Sequence, residues 1–293
     1  MLILDLGVFQ RKAHFPRMKE ALLWSFVWIV IALLFNAFVW KEFGQQKALE
    51  FLTGYVLEKA LSVDNIFVFI VIFNYFVVPP ELQHRVLFWG VLSAVVMRAI
   101  FITLGAALVT QFHWILYLFG AFLVFTAFRL AFQEDEQIHP EKNLFVRYCR
   151  KWFPITQHYE GPKFFLKRDG KRFITPLLLV LVMIETTDVA FATDSIPAIF
   201  AITRDPIIIY TSNIFAILGL RALYFVLANF MQKFRYLKIG LSLVLGFIGV
   251  KMLVEPWLKI PIAYSLFAIF CILLTSVLIS IAIPEKEGKG KKA

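Results

Sequence analysis

The chemistry-bearing residues of this chain sit where water is scarce. The stretch Ile184-Glu185-Thr186-Thr187-Asp188-Val189-Ala190-Phe191-Ala192-Thr193-Asp194-Ser195-Ile196-Pro197 places three carboxylates inside an otherwise apolar run from Ile174 to Ile202. An earlier run, Ala48 to Val78, carries Glu58, Lys59, Asp64 and Asn65 in the same way. Each run is long enough to cross a bilayer, and an ionisable group near the bilayer centre costs about 2.5–3.5 kcal/mol on insertion scales. Carboxylates at that depth need a compensating charge, and the default one is a cation. The set Glu58, Asp64, Asn65, Glu185, Asp188, Asp194 and Ser195 offers oxygen alone, without histidine or cysteine nearby. Hard or borderline cations such as Mn²⁺, Mg²⁺ and Ca²⁺ suit it better than Zn²⁺ or Cu⁺. Glu185 and Asp188, three residues apart, stand about 60° apart around a helix and can share a ligand. Lys59, Arg98 and Arg221 are the bases available to balance these acids. They are outnumbered, so negative charge is left over for a cation or for protons.

The elements that must hold these residues are membrane helices. Of 293 residues, 60% are hydrophobic and 33 are Phe, more apolar surface than a soluble domain can bury. Two cysteines, Cys149 in a polar loop and Cys271 in a terminal apolar run, provide neither a disulfide framework nor a Cys-rich metal site. The net charge of +10 lies in loops between spans, which reads as membrane topology and argues against a nucleic-acid partner. Apolar runs at 21–40, 48–78, 86–109, 113–132, 174–202, 207–230, 238–254 and 262–283 predict eight full spans. Alternating loops then put 21 basic residues on one side and 4, Lys41, Lys47, Arg204 and Lys259, on the other. By the positive-inside rule the polar loop 133–173 and the C-terminus face the cytoplasm. The loop reads as a connector with a surface helix. No cleavable signal peptide is visible. Met1 to Phe9, followed by Arg11 and Lys12, gives only about 13 Å of helix, so it is expected to stop short of the far side.

The two acid-bearing runs also begin similar units. Each unit is an acid-bearing span, then a span with an intramembrane arginine (Arg98, Arg221), then a span ending in a base (Arg129, Lys251). Asp64 matches Asp194, and six residues earlier Glu58 matches Asp188. Three spans per unit reverse the second relative to the first, which predicts an all-α polytopic fold of two inverted three-helix repeats plus flanking helices. The expected divisions are 1–47 (truncated first span and second span), 48–132 (repeat 1), 133–173 (loop), 174–254 (repeat 2), 262–283 (last span) and 284–293 (basic tail). Pro197 cannot donate to the carbonyl of Thr193, so a discontinuous helix is expected there, and only such a break lets Asp188 and Asp194 converge.

At these motifs the chain resembles the TerC family of integral membrane proteins, Alx-like branch, within the LysE-like transporter superfamily. The resemblance rests on Leu4-Asp5-Leu6-Gly7-Val8-Phe9, Phe51-Leu52-Thr53-Gly54-Tyr55, Glu58-Lys59-Ala60-Leu61-Ser62-Val63-Asp64-Asn65, His84-Arg85-Val86-Leu87-Phe88-Trp89-Gly90 and Glu185-Thr186-Thr187-Asp188 onward to Ala198. It implies a nine-span protein of three-helix repeats, associated with manganese efflux, with tellurite resistance by name, and with metallation of exported proteins. It adds Asp5 to the metal candidates, on a first span that is shorter here than in the family.

The sequence therefore predicts a transporter, not an enzyme. It is expected to export Mn²⁺ as cargo, with no permanent cofactor, through the carboxylate site by alternating access. Exchange of protons for the metal is compatible with such a cluster. The lipid bilayer and other membrane proteins are the expected partners. The competing reading is a non-transporting membrane scaffold that assists protein insertion or an envelope or tellurite stress response, its acids paired internally.

Overall fold

A computed structural model of the chain describes residues 18–112, 114–132, 144–156, 158–168, 171–228 and 236–282. The expectations for the shortened first span, for Asp5 and for the basic tail lie outside these residues. The elements in chain order are α1 (Met18–Phe43), α2 (Gln45–Tyr75), α3 (Pro80–Gln111), α4 (Ile115–Phe132), α5 (Leu144–Trp152), an antiparallel hairpin of β1 (Phe165–Arg168) and β2 (Lys171–Ile174), α6 (Pro176–Phe200), α7 (Pro206–Leu218), α8 (Leu220–Ala228), α9 (Leu237–Val254) and α10 (Ile262–Ala282). Six of them, α1, α3, α4, α6, α9 and α10, are each long and apolar enough to cross a membrane, and α7 with α8 forms a seventh, broken span. α2 has the length, 31 residues, but carries Glu58, Lys59 and Asp64 near its middle. The protein is an all-α polytopic membrane protein.

Local sequence sets the ends of these helices. Proline stands in the first turn of α3, α6 and α7, where its missing N–H costs nothing and its fixed φ suits a helix. Between α1 and α2 only Gly44 intervenes. Its φ of 87° lies in the left-handed region, which lets the chain turn in one residue.

Packing is reciprocal between the two predicted units. α2 lies against α7, α3 against α6, and α4 against α9, the most extensive helix pair in the bundle. That last pairing is close because small residues meet: a methyl group at Gly249 would come 2.8 Å from the carbonyl oxygen of Gly120. α1 seals one side, Phe35 stacking on Phe215 with centroids 4.6 Å apart.

Three expectations are corrected. First, α6 runs unbroken through Pro197. The freed carbonyl does not open the helix because Ile196, Pro197, Ala198, Ile199 and Phe200 are all buried and held by packing. Second, the break falls instead in the following span, where α7 and α8 meet at Gly219 with a 42° bend. Lys59 Nζ donates to the carbonyl of Ala216 at 3.0 Å, the acceptor that the next turn of helix would use, and a side chain inserted into the ladder is a recognised cause of a kink. Gly219 leaves room for it, since a Cβ there would lie 2.7 Å from Nζ. Third, the long loop holds a β-hairpin as well as the expected surface helix α5.

Lys47 and Arg204, predicted to share a side, do lie at one end of the bundle. Lys47 pairs with Glu50 at 3.0 Å and Asp205 at 3.1 Å, and Thr203 donates to Glu50. Asp205 also caps α7, accepting from Ile207 N at 3.0 Å. Burial pushes its carboxyl up, but the Lys47 ammonium and the helix N–H groups outweigh that and hold it below the usual aspartate value. A depressed folded-state value gives stability that is complete above the ordinary range and lost as pH falls through the depressed one. Exchange of the Ile207 amide should therefore stay slow as pH passes down through the ordinary aspartate range and quicken only below it. Quickening near neutral pH would contradict the pair.

The glycine seam yields a second expectation. Gly249→Ala should destabilise the bundle by about 1–3 kcal/mol through overpacking against Gly120. Gly246→Ala meets only ordinary contact with Ala127 and should be neutral or stabilising. Unfolding of the purified protein by titration with SDS compares the two. Equal midpoints would show that the seam is not tight.

Candidate functional site

The apolar interior is divided by a polar layer. One apolar cluster includes Ile66, Val91, Ile184 and Ile217, and another includes Leu57, Ile102, Ala192 and Ile209. On each of the helices α2, α3, α6 and α7, polar side chains interrupt the stretch between the residues of the two clusters: Glu58, Asp64 and Asn65; Ser93 and Arg98; Glu185 and Asp188; and Asn213. Periodic apolar sequence builds both clusters, so the interruption in each helix falls at the same height.

Arg98 is the hub of this layer. It is 3% exposed, pairs with Glu58, itself 2% exposed, and donates to Asn213 Oδ1 at 3.0 Å. It also interacts electrostatically with Asp188, which accepts from Asn65 Nδ2 at 3.2 Å. Four helices, α2, α3, α6 and α7, thus converge on one guanidinium. Glu185 accepts from the Ser93 hydroxyl and lies close enough to Asp188 for the two charges to repel. Asn65 Oδ1 and Ser195 Oγ are buried with no hydrogen-bond partner, and an orphaned buried oxygen is a costly feature that a cation would relieve.

The predicted set is therefore brought together in part. Glu58, Asn65, Glu185 and Asp188 belong to one layer around Arg98. Asp64 is half-buried in the same stretch of α2. Asp194 is not with them: because α6 is continuous, six residues carry it about 9 Å along and about 120° around from Asp188. Its carboxylate accepts from Thr126 of α4 at 3.1 Å and faces Arg129. Among the described residues, no group of three or more His, Cys, Asp or Glu side chains is spaced to hold a metal ion. Lys59 turns away to the Ala216 carbonyl, and Arg221 lies buried in α8.

Three contributors escaped the sequence reading or were undervalued there. Ser93 and Thr126 are small hydroxyls in apolar spans, where most such groups bond their own helix, as Thr187 does to Met183 O at 2.7 Å. Asn213 is an amide in an apolar span, and it bonds between helices to the hub arginine.

Removing one member of a buried pair strands the other, which costs about 3–5 kcal/mol. Arg98→Gln should therefore lower stability to SDS by that order, and adding Glu58→Gln should recover part of the loss. If the double variant is no better than the single, Arg98 does not act through Glu58.

Comparison with known proteins bears on this arrangement. Residues 43–288 match the family described as integral membrane protein TerC. The chain is 50% identical over 281 residues to the membrane protein STKORF319 of Myxococcus xanthus, covering 96% of this chain and 88% of that one. It is 48% identical over 301 residues to Alx of Escherichia coli (strain K12), whose name casts it as a candidate membrane-bound redox modulator, covering 99% and 94%. A membrane protein of Rickettsia bellii (strain RML369-C) is 41% identical, covering 96% and 93%. No solved structure matches the chain.

Proposed function

Because the chain belongs to the TerC family of integral membrane proteins, we propose that it is a transporter that exports a divalent cation, Mn²⁺ foremost, across the bacterial inner membrane through its polar layer. The observation that carries this reading is the excess of buried acid in that layer. Glu58 and Asp188 share the Arg98 guanidinium, Glu185 lies close enough to Asp188 for the two to repel, and the unpartnered Asn65 Oδ1 points to a further oxygen donor in need of a positive partner. In this reading Arg98 stands in for the cargo. An arriving divalent ion takes over Glu58 and Asp188, and Arg98 gives way. The all-oxygen donors favour a hard ion, and the reciprocal packing of the two units supports alternating access between them. Asp194, with Ser195, forms a second station on the path toward α4. Exchange for protons follows naturally, since an acid released from the metal without a base beside it takes up a proton. The C-terminus lies in the cytoplasm by the distribution of basic residues.

A second reading is supported by one specific observation, the internal pairing of Glu58, Arg98 and Asn213. In that reading the acids are structural, and the protein is a membrane scaffold.

Uptake of radiolabelled Mn²⁺ into inverted vesicles separates them. Vesicles with the parent protein should accumulate the ion, with Zn²⁺ a weaker competitor than unlabelled Mn²⁺. Asp64→Asn, Asp188→Asn or Asp194→Asn, each removing an interaction of about 1.5–3 kcal/mol with a charged group, should weaken apparent affinity by about ten- to a hundredfold. No uptake by the parent would remove the transport reading. Uptake unaffected by all three variants would remove the site.

A further inference from the structure

The connector between the two units is docked, not trailing. Val146 of α5 is buried in the apolar cluster that includes Ile174, Leu177 and Val180, Cys149 packs against that cluster, and α5 lies against α6 where α6 begins. Tyr159 donates to the Phe76 carbonyl at 2.7 Å, and burial pushes its hydroxyl up to about 12, so it remains a donor. Arg85 lies over the Phe164 ring, 5.2 Å from its centroid. α5 is therefore fixed at the level where a membrane span starts, which is the level of the lipid headgroups.

At that level α5 has three faces. Val146 and Cys149 face the bundle. Phe145, Tyr148 and Trp152 fall within about 60° of one another around the helix and are 60%, 61% and 74% exposed. Arg147 and Lys151, both exposed, occupy the remaining side. An exposed aromatic stripe flanked by cations on a helix lying at a bilayer boundary is the pattern of an interfacial helix, whose rings seat among acyl-chain ends while its cations stay with the headgroups. The hairpin adds a second, independent observation. Lys167 and Arg172 are exposed and directly opposed in register, a like-charge juxtaposition that costs stability unless an anion sits against it.

We propose that α5 and the adjoining hairpin form a binding surface for anionic phospholipid, with the aromatic stripe seated in the bilayer and Arg147, Lys151, Lys167 and Arg172 on the lipid phosphates. The occupant is lipid because α5 presents exposed rings beside Arg147 and Lys151 against the start of a membrane span, and the hairpin that leads into that span carries Lys167 and Arg172. The proposal is independent of what the polar layer carries. Since α5 packs on the start of α6, the helix bearing Glu185, Asp188 and Asp194, the lipid braces the end of that helix.

The test uses the full chain in nanodiscs, one set of phosphatidylcholine alone and one of an equal mixture with phosphatidylglycerol. In a Cys149→Ala, Cys271→Ala background, Phe153→Cys, just past α5, carries an environment-sensitive fluorophore. The expected result in the anionic discs is blue-shifted emission that spin-labelled lipid quenches. Phosphatidylcholine discs should show a smaller shift, and the double variant Arg147→Glu, Lys151→Glu should abolish the difference while unfolding in SDS at the parent's midpoint. Emission typical of water in both discs would overturn the proposal. So would equal shielding in both discs that ignores charge reversal, which would mean apolar seating alone. Shielding without quenching by lipid, accompanied by energy transfer between two labelled chains, would overturn it in favour of a second copy.

Discussion

A guanidinium buried between two apolar clusters has to find its partners inside the protein, and Arg98 draws them from three other helices while its Nε is left without one. Glu58 on α2 neutralises it, Asn213 on α7 accepts from it, and Asp188 on α6 adds a second negative charge. In a low-dielectric interior such an arrangement holds only when every member is present, because the desolvation of each ion has been offset by the others. It follows that these four helices cannot be positioned independently. Their heights in the bundle are locked by the requirement that four polar interruptions, spread over about 155 residues of chain, meet in one layer.

The surroundings differ in kind. α4 and α9 meet through the backbone at Gly120 and Gly249. Between lipid-embedded helices such close contact is the main source of adhesion, since lipid tails are as apolar as the side chains they would replace. The bundle thus combines a seam held by dispersion with a layer held by charge. The first is insensitive to what the interior contains. The second answers directly to any ion that enters, because a new positive charge competes with Arg98 for the same carboxylates.

Much of this was legible in the sequence, and for physical reasons. A span of some 20 apolar residues has one stable state in a bilayer, so seven of the eight expected spans, one of them broken, are found as helices apolar enough to cross, and the acids in Ala48 to Val78 and Ile174 to Ile202 announced themselves by their cost. The pairing of Glu58 with Arg98 was foreseeable as a type, a base for an acid at depth. What misled was local chemistry without tertiary context. Pro197 removes one hydrogen bond, and by itself that predicts a break; five consecutive buried side chains keep α6 whole. Gly219 carries no comparable signal, yet the helix yields there because Lys59, from a distant part of the chain, occupies a carbonyl. The direction in which Lys59 would turn, and the separation of Asp194 from Asp188 that an unbroken α6 imposes, depend on neighbours that no single segment specifies.

The contact between Lys59 and Ala216 spans 157 residues of chain, and that distance has a meaning for biogenesis. α2 leaves the ribosome before α3 and α7, and with Glu58, Lys59 and Asp64 near its middle it is, of the described helices of 18 residues or more, the least able to partition into lipid by its own composition. Glu58 gains its arginine once α3 has been made. The ammonium of Lys59 gains its carbonyl only when α7 has been made. Until then α2 has to be sheltered by the insertion machinery or wait beside it, while later and more apolar helices enter freely. Order of synthesis and order of membrane integration are therefore uncoupled for this helix, which enters the bilayer as part of an assembly.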